Sequence, residues 1–297
     1  MTIADAMARA LALPCWQDPG RPEPLGGGIT NVNLKVTDAT GTYVVRLGDD
    51  IPEHGVMRFN ELAISRAAHA AGISPAVRHA EPGALVLDFV DAAPLTEEDV
   101  RDADTLDQIT ALVRRVHDEV TPRLRGAVLT FWVFHVLRDY AATLAERGSP
   151  HLPLLPDLMD QARRLEVAIG PVRLVLGHND LLPGNILRGA DRLWLIDWEY
   201  GGFNSPLFDL GGLATNNGLE EDAERHMLTA YFGASPDPLL WRRYTAMKCA
   251  SLLRETLWSM VSELTSTLDF DYAAYSAENL ARYRRAHADF QALKDPS

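Results

Sequence analysis

The chain has 297 residues, 47% of them hydrophobic, and a formal net charge of −13. That length suits one large domain or a two-lobed one, and the acidic balance argues against nucleic acid or an anionic membrane as the main partner, since both require basic patches. Cys15 and Cys249 stand far apart without metal-ligand spacing, so neither a disulfide nor a cysteine metal centre is expected and a reducing, cytoplasmic setting is inferred.

Residues 3–12 read as a short apolar helix. Ala10 to Cys15 faintly mimic a lipoprotein signal, but Asp5 spoils the basic start and Pro14 stands where a small residue should precede the cysteine. No apolar run approaches the roughly 20 residues needed to span a bilayer, and no membrane partner is expected. A Pro/Gly-rich linker from Pro14 to Pro24 leads into Leu25-Gly-Gly-Gly-Ile-Thr-Asn-Val-Asn-Leu-Lys-Val36. Glycines let backbone N–H groups approach phosphate oxygens, and Thr30 and Asn31 add side-chain donors. A plain hairpin turn is the competing explanation, and the Gly-Lys-Ser/Thr ending of a Walker A loop is absent.

Thr42 to Leu47 alternates as a strand and ends in Val-Val-Arg46-Leu. Residues 57–71 show helical periodicity stopped by Gly72, and Gly83 to Val90 form another strand. From Thr96 the pattern is wholly helical, over 96–120, 131–147 and 155–168. After Asp197 further helices are expected at 206–216, 219–232, 238–265 and 271–290. Strands early and helices late predict an α+β protein of two lobes with a cleft between them, residues 1–90 and 91–297.

Between the two helical runs lies the stretch that carries chemistry, residues 174–200. Leu174 to Leu176 read as a buried strand, His178, Asp180 and Asn185 follow on a loop broken by Pro183 and Gly184, and a hairpin ends at Asp197. Taken singly, Asp180 and Asn185 are explicable as turn residues and His178 as a core histidine. Taken together, His-x-Asp-x-x-x-x-Asn followed by hydrophobic-Asp matches the catalytic loop and metal aspartate of protein-kinase-like phosphotransferases. In that chemistry Asp180 accepts the proton of the attacking hydroxyl, while the oxygens of Asn185 and Asp197 hold Mg2+ against the phosphates of ATP.

Gly-His-Asn-Asp-Leu-Leu-Pro-Gly-Asn-Ile-Leu, then Leu-Ile-Asp-Trp-Glu-Tyr-Gly-Gly-Phe-Asn and Phe-Asp-Leu, resemble the choline/ethanolamine kinase family. That family is a branch of the aminoglycoside-phosphotransferase-like group within the protein-kinase-like fold. The first motif is shared with aminoglycoside, thiamine and homoserine kinases, and Ile-Asp-x-Glu-Tyr narrows the match. The resemblance implies a small antiparallel-sheet lobe that binds the nucleotide and a large helical lobe that binds the acceptor. It also implies that Gly27, Gly28, Thr30 and Asn31 belong to the phosphate loop and that Arg46 is the phosphate-binding cation, held by Glu61. Arginine keeps the charge of the more usual lysine and can grip phosphate in a bidentate way. Asp88 and Val90 fall at the hinge where adenine bonds to the backbone, and Glu199 becomes an auxiliary acid near the metal. Asp209 matches an aspartate that braces the catalytic loop. His117, in an apolar stretch, is read as structural.

Helical projection of residues 239–265 places Ala246, Ala250, Leu253, Leu257, Val261 and Leu264 on one stripe. Trp258 lies off it, on a mixed face with Tyr244, Met247, Ser251, Arg254, Glu255 and Ser262, and reads as a pocket wall. Tyr272 and Tyr275 stand one helical turn apart. With Tyr200 and Trp258 they match the family's aromatic cage for a quaternary ammonium, although amphipathic packing explains such aromatics too. Glu255 replaces the family's usual second tryptophan, and its carboxylate would suit a primary or secondary ammonium as well as choline. The expectation is a monomer or homodimer that phosphorylates a small amino alcohol, choline first and ethanolamine second. The alternatives are thiamine or an aminoglycoside as acceptor, or a silent nucleotide-binding module.

Overall fold

The computed structural model describes residues 1–26, 31–268 and 270–293. The N-terminal lobe is a five-stranded sheet in the order β1-β2-β3-β5-β4, built from β1 (Glu23–Pro24), β2 (Val32–Asp38), β3 (Gly41–Leu47), β4 (Val77–Glu81) and β5 (Ala84–Asp88). Every pairing is antiparallel, and β3 runs in the middle with Arg46 opposite Asn33 on one side and Leu85 on the other. Leu34, Val36, Val45, Leu47 and Val86 point to one face, where α1 (Ile3–Leu11) covers them with Ala6 and Ala10. Thr2 and Asp5 form a capping box at the start of that helix. The stretch expected as a linker therefore ends in a strand: Glu23 and Pro24 add an edge to the sheet, the one place where proline's missing N–H does no harm.

Helix α2 (Arg58–Ala70) crosses from this lobe to the next, its Asn60 donating to the Gly201 carbonyl and accepting from the Leu129 N–H. The C-terminal lobe then opens with β6 (Ala93–Pro94), and the helix expected over 96–120 is divided. Thr96 caps α3 (Glu97–Arg101), Asp102 leaves the helical region to cap α4 (Ala103–Arg115), and residues 116–120 continue as a wider π turn. Asp102 offers its carboxylate to the Thr105 N–H, the local alternative that makes aspartate a cap rather than a helix interior. Two more helices, α5 (Val133–Glu146) and α6 (Leu155–Ile169), precede the loop expected to be catalytic.

That loop sits on small sheets. Strand β7 (Val175–Gly177) pairs with β10 (Gly202–Asn204), and β8 (Ile186–Arg188) pairs with β6 and with β9 (Leu193–Leu195). Behind them lie α7 (Pro206–Asn217), α8 (Glu221–Phe232), α9 (Pro238–Thr265) and α10 (Tyr272–Ala292). The single stripe expected for α9 is too narrow. Tyr244, Met247, Ser251, Arg254, Trp258 and Ser262 are buried as well, because α5, α6, α7 and α10 enclose the helix from several sides. A two-lobed α+β fold is thus what the chain adopts.

Candidate active site

Residue Gly177 ends β7 at a point where a Cβ would lie 2.9 Å from Asn179 Oδ1 and 3.1 Å from Asp209 Oδ2, so only glycine fits without displacement. The chain then turns through Asn179 in the left-handed region, φ 65°, which asparagine tolerates better than most residues. Asp209 on α7 clamps this turn. Its Oδ1 accepts the Asn179 N–H at 2.7 Å, and its Oδ2 accepts the His178 N–H at 2.8 Å and lies 2.9 Å from His117 Nε2. Tyr231 lies 2.7 Å from the other nitrogen of His117, so both imidazole positions are engaged and the ring is a strut. Burial pushes the Asp209 carboxyl up, yet the hydrogen bonds and charge of His117 outweigh it and hold the group ionised below its usual range.

Two side chains finish the loop. His178 is fully buried and lies with Nε2 2.8 Å from the Ile196 carbonyl, which makes that nitrogen the protonated one. This fixes the residue just before Asp197, itself at φ 68°. Asn179 donates its amide to the carbonyls of Tyr200 and Gly202, tying the loop to the turn after Asp197. Asp180 and Asp197 are therefore carried on two positive-φ turns braced by buried hydrogen bonds, the kind of strained, over-determined backbone found at functional sites.

Across the cleft an ion network joins the lobes. Arg46 on β3 reaches Asp197 Oδ1 at 2.6 Å, Glu61 Oε1 on α2 at 3.0 Å and Glu199 Oε2 at 3.7 Å. Arg58 bridges Glu61 at 2.7 Å and Glu199 at 3.3 Å, and Asn31 donates to the same Glu199 oxygen at 3.0 Å. Burial would raise the Asp197 carboxyl, but Arg46 holds it below the ordinary range. Glu199 is raised, first by burial and then by the Asp197 charge beside it. Asn185 commits its amide nitrogen to the Asp180 carbonyl at 3.0 Å, so its oxygen is the atom left to face a cation. Two carboxylates and one amide oxygen form a hard-oxygen set that suits magnesium arriving with phosphate, not a standing protein cage.

Asp180, Asn185, Asp197 and Glu199 line a cavity of about 250 Å³ together with Tyr200, Trp258, Tyr275, Glu255 and Arg254. Burial pushes the Asp180 carboxyl up to about 8; the Arg254 guanidinium opposes this, while Glu255, Asp197 and Glu199 add to it. A carboxylate tuned into that range is matched to taking a proton near neutral pH. Trp258 donates its indole N–H to the Tyr200 hydroxyl at 2.9 Å, and Tyr275 donates its hydroxyl to Glu255 at 2.9 Å.

With this geometry in place the comparison with known proteins is direct. The family model "Choline/ethanolamine kinase" matches residues 23–224, more than half of the chain. The chain belongs to the choline/ethanolamine kinase family. It is therefore a phosphotransferase with an alcohol acceptor. A probable ethanolamine kinase of Arabidopsis thaliana is 25% identical over 89% of this chain and 78% of the relative, and mouse ethanolamine kinase 2 is 24% identical over 95% and 80%. A choline/ethanolamine kinase family protein from Mesorhizobium loti superposes with a TM-score of 0.77 at 27% identity, over 98% of this chain and 97% of that one. The choline kinase LicA of Streptococcus pneumoniae shares the fold, with a TM-score of 0.78 at 22% identity over 97% and 98%.

For this kinase most of the expected side chains converge: Asp180, Asn185, Asp197, Glu199, Tyr200, Glu255, Trp258 and Tyr275 line one cavity, and Arg46, Glu61 and Asn31 join Asp197 and Glu199 through the ion network. Two expectations shift. Tyr272 does not reach the cavity; its ring stands edge-on behind Trp258 at 6.2 Å and its hydroxyl accepts from Ser266. The strand expected to reach Val90 stops at Asp88, whose carboxylate pairs with Arg78 and whose N–H is spent on the Ala76 carbonyl. The Asp88 N–H and carboxylate are thus engaged within the lobe, and Val90 lies half-buried just beyond the strand. Gly27, Gly28 and Thr30 lie outside the described residues. Sequence reasoning overlooked Arg58, Asn179 and Arg254. The Gly-His-Asn-Asp run held the signal for Asn179, since a turn that must put an aspartate at a strand end favours a residue tolerant of positive φ. Arg254 had its place on the mixed face of Trp258 but no role, and Arg58 gave no signal, being an ordinary helix arginine until its neighbours are known.

Proposed function

We propose that this kinase uses ATP and magnesium to phosphorylate the hydroxyl of a small amino alcohol of the choline or ethanolamine type. The observation that carries the reading is one cavity lined both by Asp180 and the metal-type oxygens and by Tyr200, Trp258, Tyr275 and Glu255. An acceptor whose cationic end rests among the aromatics and Glu255 presents its hydroxyl to Asp180. Asp180 takes the hydroxyl proton as the acceptor oxygen bonds to the γ-phosphorus, and the bond from that phosphorus to the β-bridging oxygen breaks to leave ADP. Asn185, Asp197 and Glu199 would hold magnesium, which neutralises charge on the transferring phosphoryl group. Arg46, which Glu61 holds at 3.0 Å beside Asp197, would supply positive charge to the phosphates.

The test is ADP release by the purified chain with ethanolamine, choline, thiamine, homoserine and an aminoglycoside as acceptors. Turnover with an amino alcohol is expected, and Asp180→Ala should lower it by about 10²-fold or more, the general-base range, with nucleotide affinity nearly unchanged. Absence of turnover with every amino alcohol sinks the reading, and near-normal turnover in Asp180→Ala removes that residue from the proton transfer.

A further inference from the structure

The end of the cavity expected to receive a cation already contains one. Arg254 on α9 is 4% exposed, and its guanidinium carbon sits 4.3 Å over the Tyr200 ring and 5.7 Å from the Phe131 ring. Its Nη1 binds Glu255 Oε2 at 2.9 Å, while Nε and Nη2 have no hydrogen-bond partner among the described residues. A buried guanidinium with donors left over is costly unless a further acceptor reaches it. The charge acts on Asp180, Tyr140, Tyr200 and His54 around it.

Tyr200 is thereby used up as a cage wall. Arg254 covers a face, Phe131 meets the ring edge-on at 6.2 Å, the hydroxyl is bonded to Trp258, and the side chain is 5% exposed. What remains open to a ligand is Glu255, which takes one hydrogen bond on each oxygen and keeps lone pairs for more, with Trp258 and Tyr275 beside it. An ammonium entering here meets a fixed positive charge one residue away. A head group with N–H bonds offsets that repulsion through charge-assisted bonds to Glu255; a trimethylammonium has no N–H to donate and loses the Tyr200 face as well.

Resting on the amino-alcohol reading, we infer that Arg254 is a specificity-determining residue: it occupies from within the protein the cation position on Tyr200 and restricts the acceptor to ammoniums that carry at least one N–H. The pairing with Glu255 is part of the device, since Arg254 aims that carboxylate while taking only one of its acceptor sites.

The experiment uses the wild-type chain and a methylation series of ethanolamine, N-methylethanolamine, N,N-dimethylethanolamine and choline. kcat/KM should hold within a few-fold through the dimethyl compound and fall about tenfold at the last step, where the final N–H is lost, a step about the size of one cation–π or charge-assisted contact. Arg254→Met should then raise choline relative to ethanolamine by about 2- to 30-fold, mainly through KM, and Arg254→Lys should keep the wild-type order. A smooth decline along the series, or choline used as well as ethanolamine by the wild type, overturns the inference even if the methionine variant fails to fold. An unchanged ratio in a folded Arg254→Met overturns it as well. If none of the four compounds is phosphorylated, it is the amino-alcohol reading that has failed.

Discussion

Replacing Asp209 by asparagine tests whether the catalytic loop depends on its clamp. The carboxylate is 2% exposed and meets three donors: the Asn179 N–H on one oxygen, and the His178 N–H with His117 Nε2 on the other. An amide keeps only one oxygen, so its NH2 must face either the Asn179 N–H or the two histidine donors. Each buried donor left without an acceptor costs about 1–3 kcal/mol, and the retained bonds lose their charge assistance. The expected loss of stability is thus about 2–5 kcal/mol, read as a lower urea midpoint with an unchanged slope. The same change frees the positive-φ turn at Asn179 that aims Asp180. Misplacement by about 1 Å costs on the order of 10²-fold in rate, so kcat should drop about 10- to 100-fold under conditions where the variant is folded. Nucleotide affinity should stay within about twofold, since Asp209 lies behind the loop. The assays are urea unfolding, ADP release at saturating acceptor and equilibrium nucleotide binding. Wild-type kcat and an unmoved midpoint would show that the clamp does not position the base.

Asp197→Ala should abolish magnesium-dependent nucleotide binding, and Asn185→Ala should raise the magnesium requirement; titrating magnesium against nucleotide affinity checks both, and superimposable curves would reassign the ligands. Trp258→Ala removes the ring beside Glu255 and its bond to Tyr200, so the acceptor KM should rise severalfold to about thirtyfold with nucleotide affinity untouched, and an unchanged KM would place the acceptor elsewhere. His54, its ring tilted against Trp258 at 5.2 Å, has its pKa pushed down to about 3, first by burial and then by the Arg254 charge. As pH falls from about 6.5 towards 3 the unfolded chain takes up a proton there that the folded chain refuses, so stability should decline by about 1.4 kcal/mol per unit through that site. His54→Gln should flatten the fall of the unfolding midpoint between about pH 6.5 and 4.5, and parallel curves would contradict the assignment.

The sequence by itself determined the lobes' character and picked out the candidate centre. Period-2 runs before residue 90, helical periodicity afterwards and the His-x-Asp-x-x-x-x-Asn…Asp spacing are local properties, set by backbone geometry within a few residues. Asp180, Asn185 and Asp197 were legible because a strand, a turn and a hairpin fix their separation whatever surrounds them. Helix breaks were less so: Asp102 stops a helix only because its carboxylate found a backbone N–H nearby, a competition periodicity does not report. The remainder was decided by tertiary structure. Asn31 meets Glu199 across 168 residues and Arg58 meets it across 141, contacts that exist only once the lobes are docked. Helix α9 looked one-sided because hydropathy ranks residues singly, whereas burial all round it comes from the four helices that enclose it. Tyr272 matched the cage by resemblance to the family and stands behind Trp258, and Arg254, placed on the mixed face of Trp258 without a role, stands over Tyr200. The physical reason is common to both. A side chain's reach is set by its own helix, but what it touches is set by the element packed against that helix, and this information lies elsewhere in the chain.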